Sequence, residues 1–207
     1  VTPSVPRRWP GATIVCLGGG PSLTPADVDA VHAAGLHTIA INDAYRLAPW
    51  ADVLYACDQQ WWTWHAGVPS FTGPRYALAA SIPITWPDIV VLENTGWTGL
   101  ELAPTGLRAG HNSGYQAVNL AVHLGAARVL LLGYDLGPDG ALTHWFGDHP
   151  SLVPSPYAEM RAAFETLVAP LAAIGVEVLN CSRRTALTAF PCVALEDALA
   201  EATERVA

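Results

Sequence analysis

Residues 12–23, Ala-Thr-Ile-Val-Cys-Leu-Gly-Gly-Gly-Pro-Ser-Leu, constrain this chain more than any other stretch. The apolar run from Ala12 to Leu17 has the length and β-branched content of a buried strand, and it runs straight into three glycines. Thr24-Pro25-Ala26-Asp27 then carries the signal of a helix start. Glycine at a strand end lets the backbone turn sharply and approach a ligand with no Cβ in the way. The helix that follows offers unpaired N–H groups and the positive end of its dipole to a phosphate. This is the layout of a nucleotide site in an open α/β sheet. The spacing is not G-x-G-x-x-G, because Pro21, Ser22 and Leu23 follow Gly20, and no Gly-Lys-Ser/Thr follows to make a P-loop. A tight turn without a ligand fits the same glycines.

Strand-like and helix-like patterns alternate beyond this point. Strands are expected at 37–41, 53–57, 76–79, 89–92, 128–132 and 176–179, and helices at 24–34, 112–124, 157–174 and 195–202. A further helical piece carries Trp61, Trp62, Trp64 and His65. Such alternation implies an α/β, Rossmann-like fold, a mostly parallel sheet with helices on both faces. With 207 residues the chain reads as one domain over 12–207, preceded by an extended arm over 1–11 that holds three prolines and Arg7-Arg8. Polar residues gather after the strands' carboxyl ends: Gly18-Gly19-Gly20, Asn42-Asp43, Asp58 and Gly133-Tyr134-Asp135. Open sheets bind their ligands along that edge.

Composition narrows the class. Hydrophobic residues make up 51% and charged residues 14%, the balance of a globular chain. No apolar run reaches the roughly 18 residues of a membrane span, and no stretch reads as a signal peptide. A net charge of −8 argues against broad binding to nucleic acid or anionic membrane. The four cysteines form no C-x-x-C and have no metal spacing, so reduced thiols and a cytoplasmic location are expected.

Several motifs recur in an order that resembles a known superfamily. Gly18-Gly19-Gly20-Pro21-Ser22-Leu23 is similar to the G-x-G-P-S-L opening of Campylobacter-type bacterial sialyltransferases. The motility-accessory-factor proteins and the archaeal pterin-diphosphokinase-like proteins share that opening. Ile41-Asn42-Asp43, Asn112-Ser113-Gly114, Gly133-Tyr134-Asp135, the loop His144-Trp145-Phe146-Gly147-Asp148-His149 and Asn180-Cys181-Ser182 follow in the family's order. The resemblance implies a GT-A-like single domain that holds a nucleotide-sugar donor, a CMP-sugar above all. Gly18 to Ser22 and Asn42 would lie along the donor phosphate, with Asp58 close by. Asn112, Ser113 and Gly114 would meet phosphate or base at a helix N-terminus. Gly133 and Tyr134 would lead to Asp135, which would accept the ribose hydroxyls. His149 or His144 would be the general base, within an active-site loop over 133–156. The acceptor stays open: a glycan, a small molecule, a protein side chain or a modified nucleotide base. The chain departs from the family at several points: Gly19 and Asp58 stand where it has asparagines, Gly110-His111 stand where it has an arginine, and Asp148 is an extra residue in the loop of His144 and His149.

Other readings stay open beside this one. An ATP- and Mg²⁺-dependent pyrophosphokinase would use Asp43, Asp58 and Asp135 as metal ligands. A catalytically silent nucleotide-binding module would need neither histidine. Ser113 also fits an N-cap, with Asn112 just outside it. Asp27-Val28-Asp29 reads as a helix start. Trp61, Trp62 and Trp64 suit either a core or an acceptor platform. Arg183-Arg184 reads as a solvated turn, or as a counter-charge for a leaving phosphate. The apolar, Trp-rich middle region makes a homo-oligomer a further expectation.

Overall fold

The computed structural model describes residues 3–80, 84–140, 142–147 and 155–204. Among them, eight strands form one sheet: β1 (Thr13–Leu17), β2 (His37–Ile41), β3 (Val53–Tyr55), β4 (Arg75–Leu78), β5 (Ile89–Asn94), β6 (Gly106–Leu107), β7 (Arg128–Leu132) and β8 (Glu177–Asn180). Every pairing is parallel, in the order β6-β5-β4-β3-β2-β1-β7-β8. The helices are α1 (Pro25–Ala33), α2 (Gln59–Trp64), α3 (Ser113–Leu124), α4 (Tyr157–Ala173) and α5 (Leu195–Glu204). The chain steps outward from β1 to β6, then returns through α3 to lay β7 on the other side of β1. The strand order therefore reverses between β1 and β7.

Both faces of the sheet are covered, which is why its inner strands read as unbroken apolar runs. Ile14, Cys16, Ile39 and Tyr55 pack on one side with residues of α3 and α4 such as Val118 and Phe164. Val15, Leu17, Ala40 and Leu54 pack on the other with Val28, Val31, Trp61, Trp62, Leu195 and Ala198. Trp61 and Trp62 are thus core residues and not a platform. Their indole N–H groups donate to Asp43 Oδ2 (2.9 Å) and to the Ala56 carbonyl (3.0 Å). Trp64 is 37% exposed.

Helix α3 lies between the sheet and α4 and is buried at every residue from Tyr115 to Leu124. Its polar residues must therefore find partners inside the protein. Gln116 accepts from Tyr55 Oη (2.7 Å) and donates to the Ala109 carbonyl (2.6 Å). Asn119 takes the Glu101 N–H (2.9 Å) and donates to the Glu101 carbonyl (2.8 Å). His123 Nε2 lies 2.9 Å from the Gly106 carbonyl oxygen. Spaced three and four apart, these side chains share one helix face and fasten segment 101–109 to it. That fastening holds β6, a two-residue strand the sequence pattern does not reveal.

The N-terminal arm runs along the amino edge of the sheet. The N–H groups of Val5, Trp9 and Gly11 each donate over 2.8 Å, to Pro104, Leu124 and Gly125. Trp9 stacks on His37 with ring centroids 4.1 Å apart. No helix among the described residues is long and apolar enough to cross a membrane.

Candidate functional site

A cleft of about 450 Å³ opens at the carboxyl edge of the sheet, over the β1/β7 reversal. Open α/β sheets take their ligands at such a point. Among the described residues, all those expected at the site line this cleft except Ser22 and Asp43. His149 lies outside the described residues.

The floor is made by two turns zipped together. Gly18 N–H donates to the Leu132 carbonyl (2.7 Å) and Gly20 N–H to the Gly133 carbonyl (2.8 Å). A Cβ on Gly18 would stand 2.6 Å from Gly133 O, and one on Gly20 would overlap Asp135 Oδ1. These two glycines answer to the approach of one turn to the other. Gly19 differs, since the nearest neighbour of a Cβ there is His144 Cδ2 at 3.2 Å. Ser22 is turned inward, where its N–H and Oγ donate to Asp135 Oδ2 (2.9 Å) and Oδ1 (2.8 Å). Burial pushes the Asp135 carboxyl above its ordinary range, and the Ser22 bonds work against that. Ser22 thus reaches both Asp135 oxygens, and the carboxyl still borders the cleft.

Asn42 forms the adjoining wall. It sits at φ +50°, in the left-handed region that asparagine tolerates better than most residues. Its Oδ1 is buried and has no hydrogen-bond partner among the described residues. A buried acceptor left unpaired costs on the order of 1–3 kcal/mol, so strain and lost bonding coincide at one residue.

The N-terminus of α3 forms the third wall. Asn112 is its N-cap and accepts the Tyr115 N–H over 2.8 Å. The cap role thus falls to Asn112, while Ser113 begins the helix and accepts the Cys57 N–H at 3.4 Å. The first-turn N–H groups of Ser113 and Gly114 have no partner within the helix and border the cleft. Gly114 leaves room for Tyr134, whose hydroxyl donates to the Gly114 carbonyl (3.1 Å).

Residues 142–147 bring His144 and Phe146 over Gly19. Trp145 N–H donates to the Gly19 carbonyl (3.1 Å), and the indole packs into the core with Arg46 stationed 5.7 Å from its ring. His144 stacks on Phe146 (4.9 Å), with its Nδ1 3.0 Å from Thr143 Oγ1. Asp58 also lines the cleft, exposed at the N-cap of α2.

The structure separates other charged residues from the cleft. Asp43 is turned into the protein, where Trp61, Arg46 (3.4 Å) and His65 (3.6 Å) surround it. Asp43, Asp58 and Asp135 do not converge, and no group of three or more metal-ligating side chains forms among the described residues. Arg183 grips Asp27 through two nitrogens and Arg184 pairs with Asp139, so neither guanidinium is merely solvated. Asp27 also closes a capping box with Thr24, as the helix-start reading expects. Burial pushes the Cys16, Cys57 and Cys181 thiols up to about 12, which makes them poor nucleophiles.

Sequence reasoning missed His111, Tyr157 and Met160, which also line the cleft. His111 adjoins an expected motif, but the other two start a helix whose approach to the cleft no local pattern announces.

The fold is consistent with the Rossmann-like superfamily of nucleotide-binding enzymes. Comparison with protein-family models and with curated proteins found no match.

Proposed function

We propose that this protein is a glycosyltransferase-like enzyme that moves a sugar from a nucleotide-activated donor, a CMP-sugar, to an acceptor hydroxyl. One observation carries the reading: a single cleft at the β1/β7 reversal gathers a glycine turn, a helix N-terminus, Asn42 and His144. The helix N–H groups suit a phosphate. The unpaired Asn42 oxygen suits a hydroxyl or amino donor on the same ligand. In the reaction, the acceptor oxygen attacks the anomeric carbon and its proton passes to His144. The bond from that carbon to the phosphate oxygen breaks, and CMP leaves with the electron pair. An imidazole takes up and releases protons near neutral pH, the property a general base needs. Charge growing on the phosphate meets the N–H groups of Ser113 and Gly114.

The test is a thermal-shift panel with CMP, CDP, UDP, AMP and ATP, each with and without Mg²⁺, followed by CMP release from a CMP-sugar. Selective stabilisation by CMP without metal is the expected result. His144→Ala, alone or with His149→Ala, should cut CMP release by about 10²- to 10⁴-fold, the usual worth of a general base. Stabilisation by ATP only with Mg²⁺ would move support to the pyrophosphokinase. Binding with turnover untouched by both histidine changes would overturn the histidine base, and binding with no turnover would favour the silent module.

A further inference from the structure

Trp97 is 64% exposed, the most exposed large hydrophobic side chain among the described residues. A single exposed indole is ordinary on a protein surface. This one is held on a rigid frame. The Trp97 carbonyl accepts the Gly110 N–H and the Gly96 carbonyl accepts the Ala109 N–H, both over 2.8 Å. Thr95 N–H donates to the Leu107 carbonyl (3.0 Å), so these bonds continue the ladder of β5 and β6. The far end of the loop is pinned where Tyr115 Oη donates to the Gly99 carbonyl (2.7 Å). No packing need of the core explains an indole displayed in this way.

His111 ties that indole to the cleft. It lines the cleft directly before the α3 N-cap. Its backbone sits at φ +62°, a conformation that persists in a non-glycine residue only when the surroundings enforce it. Its ring stacks on Trp97 with centroids 5.1 Å apart and planes 26° from parallel. An aromatic surface thus runs from the cleft wall, beside the helix N-terminus, out to solvent.

We propose that Trp97 and His111 form the acceptor subsite, a stacking platform for a pyranose ring. The inference rests on reading the cleft as the donor site. A cleft of about 450 Å³ is of the size that one small ligand fills. A second substrate must then meet the reacting centre from the rim. Donor bases need enclosure, which an indole left mostly in water does not give. An acceptor that continues into solvent needs one firm face, and the C–H face of a pyranose matches the negative face of an aromatic ring.

The test follows the Trp97 indole N–H by NMR in the full chain, its signal assigned from Trp97→Phe. Methyl pyranosides of glucose, galactose, mannose and N-acetylglucosamine are titrated with and without CMP. At least one pyranoside should shift that signal, and Trp97→Ala should weaken its binding about three- to tenfold, the worth of one aromatic contact. CMP affinity should stay within about twofold, with Trp97→Phe retaining most of the pyranoside binding. Thermal melts of Trp97→Ala report whether the fold is intact, as its exposure leads one to expect. If no pyranoside moves the signal under either condition, the platform is overturned. If CMP itself moves the signal and Trp97→Ala weakens CMP, the surface belongs to the donor and the acceptor assignment falls. A pyranoside shift without any nucleotide binding would sustain the platform and count against the donor reading alone.

Discussion

Gly18, Gly19 and Gly20 answer to different demands, and substitution should separate them. A methyl group on Gly20 would collide with Asp135 and with the Gly133 carbonyl, both tied into the floor. Gly20→Ala should therefore cost about 1–3 kcal/mol, the usual toll of overpacking, seen as a lower midpoint in urea melts. Gly19→Ala should leave that midpoint nearly unchanged, since among the described residues only His144 lies within 3.4 Å of the new atom. Asn42 should behave in the opposite sense. Asn42→Gly removes both an unpaired buried oxygen and a left-handed side chain, and should stabilise the ligand-free protein by about 1 kcal/mol while weakening ligand binding. A lower melting midpoint for that variant would show that the amide oxygen is satisfied. The sequence exposes these residues as candidates because each follows an apolar run. It does not reveal the division of labour, because Asp135 meets Ser22 across 113 residues of chain.

Among the elements, those whose ends carry their own chemistry are the legible ones. Thr24, Pro25 and Asp27 mark the start of α1, and the structure closes the capping box there. Burial resists ionisation of Asp27, but bonds from Arg183 and Thr24 outweigh it and hold the carboxyl below its ordinary range. A carboxyl with a lowered folded pKa stabilises above its unfolded value and loses that contribution as pH falls through the folded one. Asp27→Asn should therefore cost on the order of 1 kcal/mol at pH 7, with the difference shrinking as pH falls below the ordinary carboxylate range, as compared by urea melts. β6 has no such mark, since two residues show no periodicity and its place is set by the polar face of α3. Asn119→Ala would strand the Glu101 N–H and carbonyl and should cost about 2 kcal/mol. Trp61 and Trp62 of α2 are ambiguous in sequence because an indole suits a core and a stacking surface equally. Only the partners of their N–H groups, Asp43 and Ala56, decide for the core.

For the molecule as a whole, the alternation of patterns contained the doubly covered parallel sheet. The position of the cleft follows from the strand order, which no local pattern shows. Only the return of the chain past β1 to place β7 creates the reversal, and with it a place where two turns leave a gap between them. A ligand at this place should act on the global unfolding equilibrium. A nucleotide at one hundred times its Kd should add about 2.7 kcal/mol, which for a chain of this size raises Tm by roughly 5–10 °C. A shift that fails to grow with nucleotide concentration would argue against specific binding.

The same strand order has a consequence for biosynthesis. β1 leaves the ribosome well before its partner β7, which follows more than a hundred residues later, as the Ile14–Val129 register requires. At about 5–20 residues per second, that separation lasts roughly 6–23 s. Throughout that interval one edge of an apolar strand stays bare, a template for pairing with the wrong neighbour. The nascent chain, and not the finished fold, is thus where this protein is most open to aggregation, and the floor of its cleft is complete only after β7 has been made.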